Sequence, residues 1–430
     1  SSGVKDTLSK KAISSIHGSA AKPSYDPLIL DLNGDGIIET TTESDGMNYF
    51  DVFKTGFAVQ TGWVNENDGL LGIDLNGDGE ISDGGELFGT STALTQGGLA
   101  ADGFQALASY DSNQDGQVDI NDAAWSQLRV LRGDGIVLTM SEADIASLSL
   151  ASSIVGTTDS NGNQILSQGQ FTRTNQQIGL MLDAQFQVNT MLSIPELSIA
   201  PSFNPEVDRT PYASGFGVVR DLNQAIYLDE SGTLQSLLDQ FISSQSIADQ
   251  DTLLDQLILK WTGAENQPVT SPGLHMNNQV FYAVEQFYGQ HITYQGELNG
   301  APGIFQGEYL NQVYQSIKDF VYAELMESGP LKTLFIQVAQ GRYITPENDA
   351  RYDMSTAANS LLQLELTDPA LAEFKASAFV KAIRSLDFRE SFDYETTFRA
   401  VIASSPTLLQ IIDSYDNGVT SFADNATIVR

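Results

Sequence analysis

The peptide bond between Asp26 and Pro27 joins two residues that can break their own linkage. The side-chain carboxyl of Asp26 can attack its own backbone carbonyl carbon and form a five-membered cyclic anhydride, so it can act as a nucleophile. Pro27 contributes a tertiary amide nitrogen, which is easier to protonate as a leaving group than a secondary one. The protein must add geometry, a proton for that nitrogen and stabilisation of the developing oxyanion. Water would then complete cleavage, whereas a lysine amine would give an amide cross-link.

Asp–Pro pairs also have ordinary structural uses, and the chain contains two of them. Asp368–Pro369 precedes a helical pattern, where Asp is a preferred N-cap and Pro a preferred first residue, so we predict a helix start. Asp26–Pro27 is followed by the apolar run LILDL and has no helical pattern after it. The alternative to chemistry at Asp26 is a turn before a strand.

The strongest metal-binding pattern is DSNQDGQVDIND, residues 111–122. A loop of the EF-hand type takes oxygen ligands at positions 1, 3, 5, 7, 9 and 12 and needs glycine at position 6. Gly116 supplies the glycine, and the stretch AAWSQLRVL after the loop is predicted to be the exiting helix. The alternative is a solvated acidic turn. The predicted Ca²⁺ ligands are Asp111, Asn113, Asp115, the Gln117 carbonyl, Asp119 and Asp122.

Two further stretches have the same pattern with a displaced or missing closing acid. In DLNGDGEISDGGE the closing acid comes one place late, at Glu86, with Asp83 as a second candidate. In DLNGDGIIE the twelfth position is Thr42, which leaves that loop less complete. The stretches 51–56 and 132–144 resemble worn copies that are not expected to bind strongly. The predicted ligands are Asp74, Asn76, Asp78, the Glu80 carbonyl, Ser82 and Glu86 in one loop, and Asp31, Asn33, Asp35, the Ile37 carbonyl and Glu39 in the other.

The charge balance agrees with a divalent cation as partner. The 430 residues include 55 acidic and 21 basic ones, for a net charge of −34, and the chain has no cysteine. Such a chain repels phosphate backbones, which argues against nucleic acid, and it can form neither disulfides nor thiolate zinc sites. Most of the excess acid lies between residues 27 and 200. We expect this part to fold at the millimolar calcium found outside cells, because binding free energy becomes folding free energy.

The patterning predicts an α+β chain with a calcium-loaded, EF-hand-like, short-strand module followed by an all-α helical domain. Short β-type runs occupy the acidic half, and apolar residues at helical spacing, such as Leu253, Leu254, Leu257 and Ile258, occupy the other. No apolar run is long enough to span a membrane. The start lacks both an initiator Met and the apolar stretch of a signal peptide, so the chain is interpreted as a piece of a larger protein. The predicted parts are a flexible arm over 1–26, a module over 27–192, a linker over 193–211 and a helical domain over 212–430.

Three stretches together resemble the self-processing module of FrpC-like RTX proteins: DPLILDLNGDGIIET, TGWVNENDGLLGIDLNGDGEISDGGELFG and ALASYDSNQDGQVDINDAAWSQLRVL. The resemblance covers about 27–185, and the helical part is similar to a region that follows such modules in large RTX exoproteins. It implies calcium-triggered autocatalytic cleavage after Asp26, with Pro27 as the new N-terminus. It also implies transfer of the freed aspartate to a lysine of another chain. The eroded loops near 51–56 and 130–141 depart from the family.

Two functions therefore remain open at this point. The first is a single-turnover self-cleaving protein within an RTX-type protein secreted by a Gram-negative bacterium through type I secretion, with calcium and foreign lysine amines as partners. The second is a non-enzymatic, calcium-stabilised structural module of a secreted adhesin or toxin. The two differ only in whether the Asp26–Pro27 bond breaks.

Overall fold

The computed structural model describes residues 23–44, 48–94, 97–195, 211–270, 275–294, 300–346, 348–385 and 394–423. Within these ranges a curled antiparallel sheet forms the N-terminal part and helices form the C-terminal part. The predicted mixed class with a helical second half is confirmed at that level. Most of the predicted arm (1–22) and of the linker (196–210) lies outside the described residues.

Twelve strands of the described N-terminal part belong to one sheet. The central path runs β6-β9-β11-β12-β2-β5-β7-β8, while β1 and β4 also pair with β12. The strands are β1 Ser24–Tyr25, β2 Leu28–Asp31, β3 Tyr49–Phe50, β4 Phe57–Thr61, β5 Asp68–Ile73, β6 Gln117–Asp119, β7 Leu128–Arg132, β8 Val137–Thr139, β9 Ile145–Ser149, β10 Ser153–Thr158, β11 Gln164–Arg173 and β12 Ile178–Pro195.

The centre of this sheet is covered on both faces. In β2, Leu28 and Leu30 enter one apolar cluster with Phe88, whereas Ile29 enters another with Phe186. Alternate residues of a strand point to opposite faces, so a strand buried on both sides needs an unbroken apolar run. The run LIL satisfies that need and places the strand after Pro27 in the interior.

The predicted helix after the Asp111 loop is wrong. The stretch forms a single 3₁₀ turn, Trp125–Gln127, and then β7, which pairs with β5. Leu128, Val130 and Leu131 are buried in that strand. Burial within the sheet outweighs the helical tendency of the segment, since intrinsic propensity is a weak prior against tertiary packing. The one regular helix flanking this loop, Gly103–Ala108 (α1), precedes it.

Beyond the sheet, the described chain is mainly helical around one large apolar cluster. A two-stranded hairpin, β13 Arg342–Ile344 and β14 Ala350–Tyr352, interrupts the helices. The helices are α2 Leu222–Leu228, α3 Thr233–Ser243, α4 Ile247–Trp261, α5 Asn278–Tyr288, α6 Ile304–Ser328, α7 Lys332–Gln340, α8 Ser355–Glu365, α9 Pro369–Arg384, α10 Ala400–Ile402, which continues the π-helical turn Tyr394–Arg399, and α11 Pro406–Ala423.

Several helix ends follow from local sequence. The Asp368 carboxylate accepts a hydrogen bond from the Leu371 backbone N–H at the start of α9, and Pro369 is the first helical residue, as predicted. Gly289 ends α5 with a φ of 80°, the left-handed conformation that glycine adopts without strain. The second Asp–Pro pair is therefore a helix cap.

The long strand β12 also touches the helical part. The Thr190 hydroxyl of β12 donates to the Tyr288 carbonyl at the end of α5. In the neighbouring strand β4, the ring centre of Phe57 lies 5.2 Å from the Arg220 guanidinium. Among the described helices, none combines the length and the apolar character that a membrane crossing requires.

Candidate functional site

The Asp26–Pro27 bond lies between two short strands that share one partner. Tyr25 in β1 pairs with Phe186, and Leu28 in β2 pairs with Asp183, both on β12. The Ala184 N–H also donates to the Pro27 carbonyl at 3.4 Å. Both sides of the bond are thus fixed to the same strand, which restricts motion at the residue between them.

The Asp26 carboxyl is only 4% exposed and is held from one side. Its Oδ1 accepts a hydrogen bond from the backbone N–H of Thr90 at 2.9 Å and another from the Thr90 hydroxyl. Burial raises the pKa of Asp26 above its usual range, and the Thr90 bonds oppose that shift. The carboxyl is therefore oriented and shielded from bulk water.

Two glycines let the backbone approach this bond closely. A Cβ atom built on Gly89 would lie 2.5 Å from the Asp26 carbonyl oxygen, and one on Gly103 would lie 2.6 Å from Leu28 Cγ. Real Cβ atoms do not make such contacts, so a side chain at Gly89 would displace the carbonyl. The segment is anchored further by the Leu28 N–H, which donates to the Phe88 carbonyl at 2.9 Å.

A second buried carboxyl, Asp183, lies beside Asp26 and was missed in the sequence. Asp183 is fully buried, its Oδ2 accepts the Gly103 N–H at 3.2 Å, and its Oδ1 has no hydrogen-bond partner. Burial, followed by the nearby charge of Asp26, raises the pKa of Asp183 to about 7. The signal in the sequence was an acid inside the apolar strand LMLDAQF, where an unpaired charge is costly.

The three predicted calcium loops share one hydrogen-bond pattern. The first carboxylate of each accepts the N–H of position 6: Gly36 to Asp31 at 2.9 Å, Gly79 to Asp74 at 3.1 Å and Gly116 to Asp111 at 3.0 Å. The side chain at position 3 accepts the N–H of position 5, and the side chain at position 5 accepts that of position 7. The bonds concerned are those of Asn33 and Asp35, Asn76 and Asp78, and Asn113 and Asp115.

The backbone of the loops is equally regular. Positions 4 and 6 have positive φ in all three: Gly34 and Gly36, Gly77 and Gly79, and Gln114 and Gly116. The worn copy at 51–56 keeps this backbone at Lys54 and Gly56, although Phe53 and Thr55 stand where ligands would be. The turn is therefore retained without a full set of oxygen ligands.

The closing acid is clear in two loops. Asp122 Oδ2 accepts the N–H of Asp119 at 2.9 Å, and Glu86 Oε2 accepts that of Ser82 at 2.9 Å. The donor is position 9 in both cases. Asp83, the alternative to Glu86, instead caps the 3₁₀ turn Gly84–Glu86 by accepting the Gly85 N–H. The structure therefore places Glu86, not Asp83, in the closing position.

In the Asp31 loop the N–H of Glu39, at position 9, donates to Asp68 Oδ2 at 2.7 Å. Asp68 begins β5, is fully buried, and lies opposite Asp31 in the sheet. Burial raises the pKa of Asp68 to about 8; the hydrogen bond from the Glu39 N–H opposes that shift, and the Glu39 carboxyl adds to it. Sequence spacing could not find Asp68, because it lies far outside the loop.

The donor chemistry of the loops fits calcium. Among the described residues, no three His, Cys, Asp or Glu side chains form a ready metal cluster. Each loop instead presents three or four carboxylates together with an amide and a backbone carbonyl, the hard oxygen set that calcium takes. Two cationic side chains contact these loops: the Arg129 guanidinium lies 3.1 Å from Asp74 Oδ2, and the Arg173 guanidinium donates to the Asp31 and Leu32 carbonyls.

Two similarities to known proteins cover the part of the chain that contains this site. The family model of the SPM domain matches residues 28–187. The chain is also 37% identical over 250 residues to the iron-regulated protein FrpA of Neisseria meningitidis serogroup C, across 56% of this chain and 22% of that protein. The chain thus spans about a fifth of the length of this relative. The resemblance to FrpA/C-type RTX proteins is confirmed at that level, and the chain is similar to a part of a longer RTX-type polypeptide.

Proposed function

We propose that this chain cleaves its own Asp26–Pro27 bond when calcium binds, as part of a secreted RTX-type protein. The observation that carries the proposal is the setting of Asp26. Its carboxyl is buried, gripped by Thr90 and placed between two strands that hold the bond against β12. The SPM match begins at residue 28, the residue after Pro27. An ordinary turn needs neither the buried carboxyl nor the second acid beside it.

In the proposed reaction, an oxygen of the ionised Asp26 carboxyl attacks the Asp26 backbone carbonyl carbon. The bond from that carbon to the Pro27 nitrogen breaks as the nitrogen accepts a proton, which leaves a succinic-type anhydride and a free proline amine. Water then opens the anhydride to two carboxyl groups. A lysine amine of another chain would open it to an amide cross-link and one carboxyl group.

Asp183 is our candidate for the proton donor. It lies opposite Leu28 on β12, its Oδ1 makes no hydrogen bond, and its pKa of about 7 keeps a proton available near neutral pH. Asp26 and Asp183 would then be a nucleophile and an acid of the same residue type, distinguished by their surroundings.

Calcium would act by ordering the segments that hold the bond. The Asp31 loop directly follows β2, and the Asp74 loop ends at Glu86, just before Phe88, Gly89 and Thr90. Closing these loops around an ion fixes both the strand after Pro27 and the residues that grip Asp26. Bound calcium would neutralise the clustered carboxylates, and the loops could then become ordered around the site.

Intact-mass measurement on the full chain, with and without millimolar calcium, tests the proposal. We expect calcium to split the wild-type protein after Asp26, to leave Asp26→Ala intact, and to leave the Asp368–Pro369 bond unbroken in both. A product heavier than the chain by one upstream piece would show joining to lysine. If calcium folds the protein and the mass stays that of the intact chain, the protein is a structural calcium module.

A further inference from the structure

We infer that Asp68 is the closing ligand of a composite cation site in which the Asp31 loop supplies the remaining oxygens. The inference rests on the calcium-binding part of the proposed function and is independent of cleavage. The loop alone lacks an acid at position 12, where Thr42 stands. Asp68 enters from the neighbouring strand, 29 residues beyond Glu39.

All three loops share one hydrogen bond at position 9. The N–H of Ser82 donates to Glu86 at 2.9 Å, and that of Asp119 donates to Asp122 at 2.9 Å. The N–H of Glu39 donates to Asp68 at 2.7 Å. Each of these acceptors is a carboxylate, and the first two are the acids that close their own loops. Asp68 therefore occupies the corresponding place in the third loop.

Asp68 also carries an unpaired buried oxygen. The residue is fully buried, yet its Oδ1 has no hydrogen-bond partner, and Oε2 of Glu39 is likewise buried and unpaired. Both oxygens of Asp122 and both of Glu86 accept N–H bonds. The side chains of Asp68 and Glu39 lie within hydrogen-bonding reach of each other, so their two acceptor oxygens need either a shared proton or a cation between them. A cation bound in the loop would meet both oxygens.

The path of the chain after Glu39 explains why Thr42 is not the ligand. Thr40 forms an isolated antiparallel bridge with Val64, and the Thr41 N–H donates to the Trp63 carbonyl at 2.7 Å, so the chain leaves the loop. The Thr42 hydroxyl then lies 3.0 Å from that of Ser44. In the ladder, Asp68 lies directly opposite Asp31, the first ligand, so the sheet itself returns an acid to the loop.

The occupant would be a hard divalent cation. The oxygens available are the carboxylates of Asp31, Asp35, Glu39 and Asp68, the Asn33 amide and the Ile37 carbonyl. This set of six donors suits calcium, which accepts six to eight oxygens in flexible geometry, better than magnesium, which demands a near-ideal octahedron. In the structure N–H groups hold several of these oxygens, and the ion would draw them together.

Calcium counting by native mass spectrometry and calorimetry tests the inference on the full chain. We expect Asp68→Asn to bind one calcium ion fewer than the wild type, or to bind it at least tenfold more weakly. Thr42→Ala should keep the full number. Asp183→Asn is the matched control, because it also neutralises a fully buried acid of the sheet but lies outside every loop, and it should keep the full number too.

A measurement on the unaltered protein guards against a folding defect in Asp68→Asn. In carbon-detected NMR, the side-chain carboxyl resonance of Asp68 should shift with calcium along the same titration curve as that of Asp31. A stationary Asp68 signal beside a moving Asp31 signal overturns the inference, as does loss of an ion in Thr42→Ala. If no loop binds calcium, the proposed function itself fails, which is a different result from an intact count in Asp68→Asn alone.

Discussion

At the scale of single residues, the site depends on two acids that cannot both carry charge without cost. Asp26 and Asp183 are both buried, and the charge of Asp26 contributes to the raised pKa of Asp183. When two carboxylates lie close together away from water, the pKa of one of them rises, so one carboxyl can stay ionised while the other keeps its proton. Two hydrogen bonds from Thr90 stabilise the ionised form of Asp26, whereas Asp183 accepts one, from the Gly103 N–H.

Replacing Asp183 with asparagine tests the assignment of the acid. The amide keeps the shape and can still accept the Gly103 N–H, but it cannot give up a proton. We expect calcium-dependent cleavage to slow by about 100-fold or more, with calcium binding unchanged. A time course of cleavage followed by mass measures this, and a rate within threefold of the wild type would contradict it.

The same residue gives a prediction about pH. The wild-type cleavage rate should fall as pH rises through about 7, because Asp183 then loses its proton. Folded-state stability should also fall between about pH 4 and pH 7, since the folded chain retains a proton that unfolded aspartate releases near pH 3.9. Asp183→Asn should therefore melt at a higher temperature than the wild type at pH 8. Thermal melts at pH 5 and pH 8 compare the two proteins.

Arg129 gives a prediction about affinity. Its guanidinium forms an ion pair with Asp74 Oδ2 at 3.1 Å, and this ion pair must break before a cation binds that oxygen. Arg129→Gln should raise the calcium affinity of this loop by about threefold to tenfold, because a partly buried ion pair of this kind contributes on the order of 1 kcal/mol. Calorimetric titration reports the change, and Arg132→Gln, whose partner is Asp134, serves as the matched control.

At the scale of elements, the positions of the loops were predictable and the surrounding structure was not. Side chains and turns within a dozen residues fix the Asp111 loop, so spacing was sufficient to predict a turn with glycine at position 6, while calcium binding there stays a prediction. The strand Leu128–Arg132 depends on pairing with Asp68–Ile73, far away in the sequence, so local pattern gave a helix instead. Asp68 and Asp183 were missed for the same reason, because only the sheet brings them to Asp31 and Asp26.

One element-scale prediction concerns position 4 of the Asp111 loop. Gln114 has a φ of 60°, whereas the other two loops have glycine there. Gln114→Gly should stabilise the calcium-loaded protein by about 0.5–1 kcal/mol, because the left-handed conformation strains a side chain. Gln117→Gly, in the extended strand β6, should destabilise it by a similar amount. The midpoints of urea unfolding measure both changes, and equal effects in the two variants would show that backbone strain at Gln114 is not the cause.

At the scale of the whole molecule, the acidic loops and the helices lie in different parts of the chain. The loops lie between residues 31 and 122, within the sheet, whereas the helical part has its own apolar cluster. The helices could be predicted, because the apolar residues on the buried face of each helix recur three and four positions apart in the sequence. The order of twelve strands could not, because it depends on long-range pairing.

Calcium should therefore protect the two parts unequally. In hydrogen exchange followed by mass spectrometry, calcium should slow exchange strongly in peptides from residues 28–187 and only weakly in peptides from residues 222–384. Magnesium at the same concentration is the control and should protect little. Equal calcium protection in both parts would show that the helices depend on the ion as well.

The packing of Tyr25 determines where the upstream piece lies once the bond is broken. Its ring packs on Phe186 with centres 5.6 Å apart, its strand pairs with β12, and the Val188 N–H donates to the Pro23 carbonyl. Breaking the Asp26–Pro27 bond removes none of these contacts. The upstream piece would stay docked, with its reactive end still facing the new proline amine, which can reseal the chain. The dwell time of that piece on β12 would then decide whether the anhydride is religated, hydrolysed or carried to a foreign lysine.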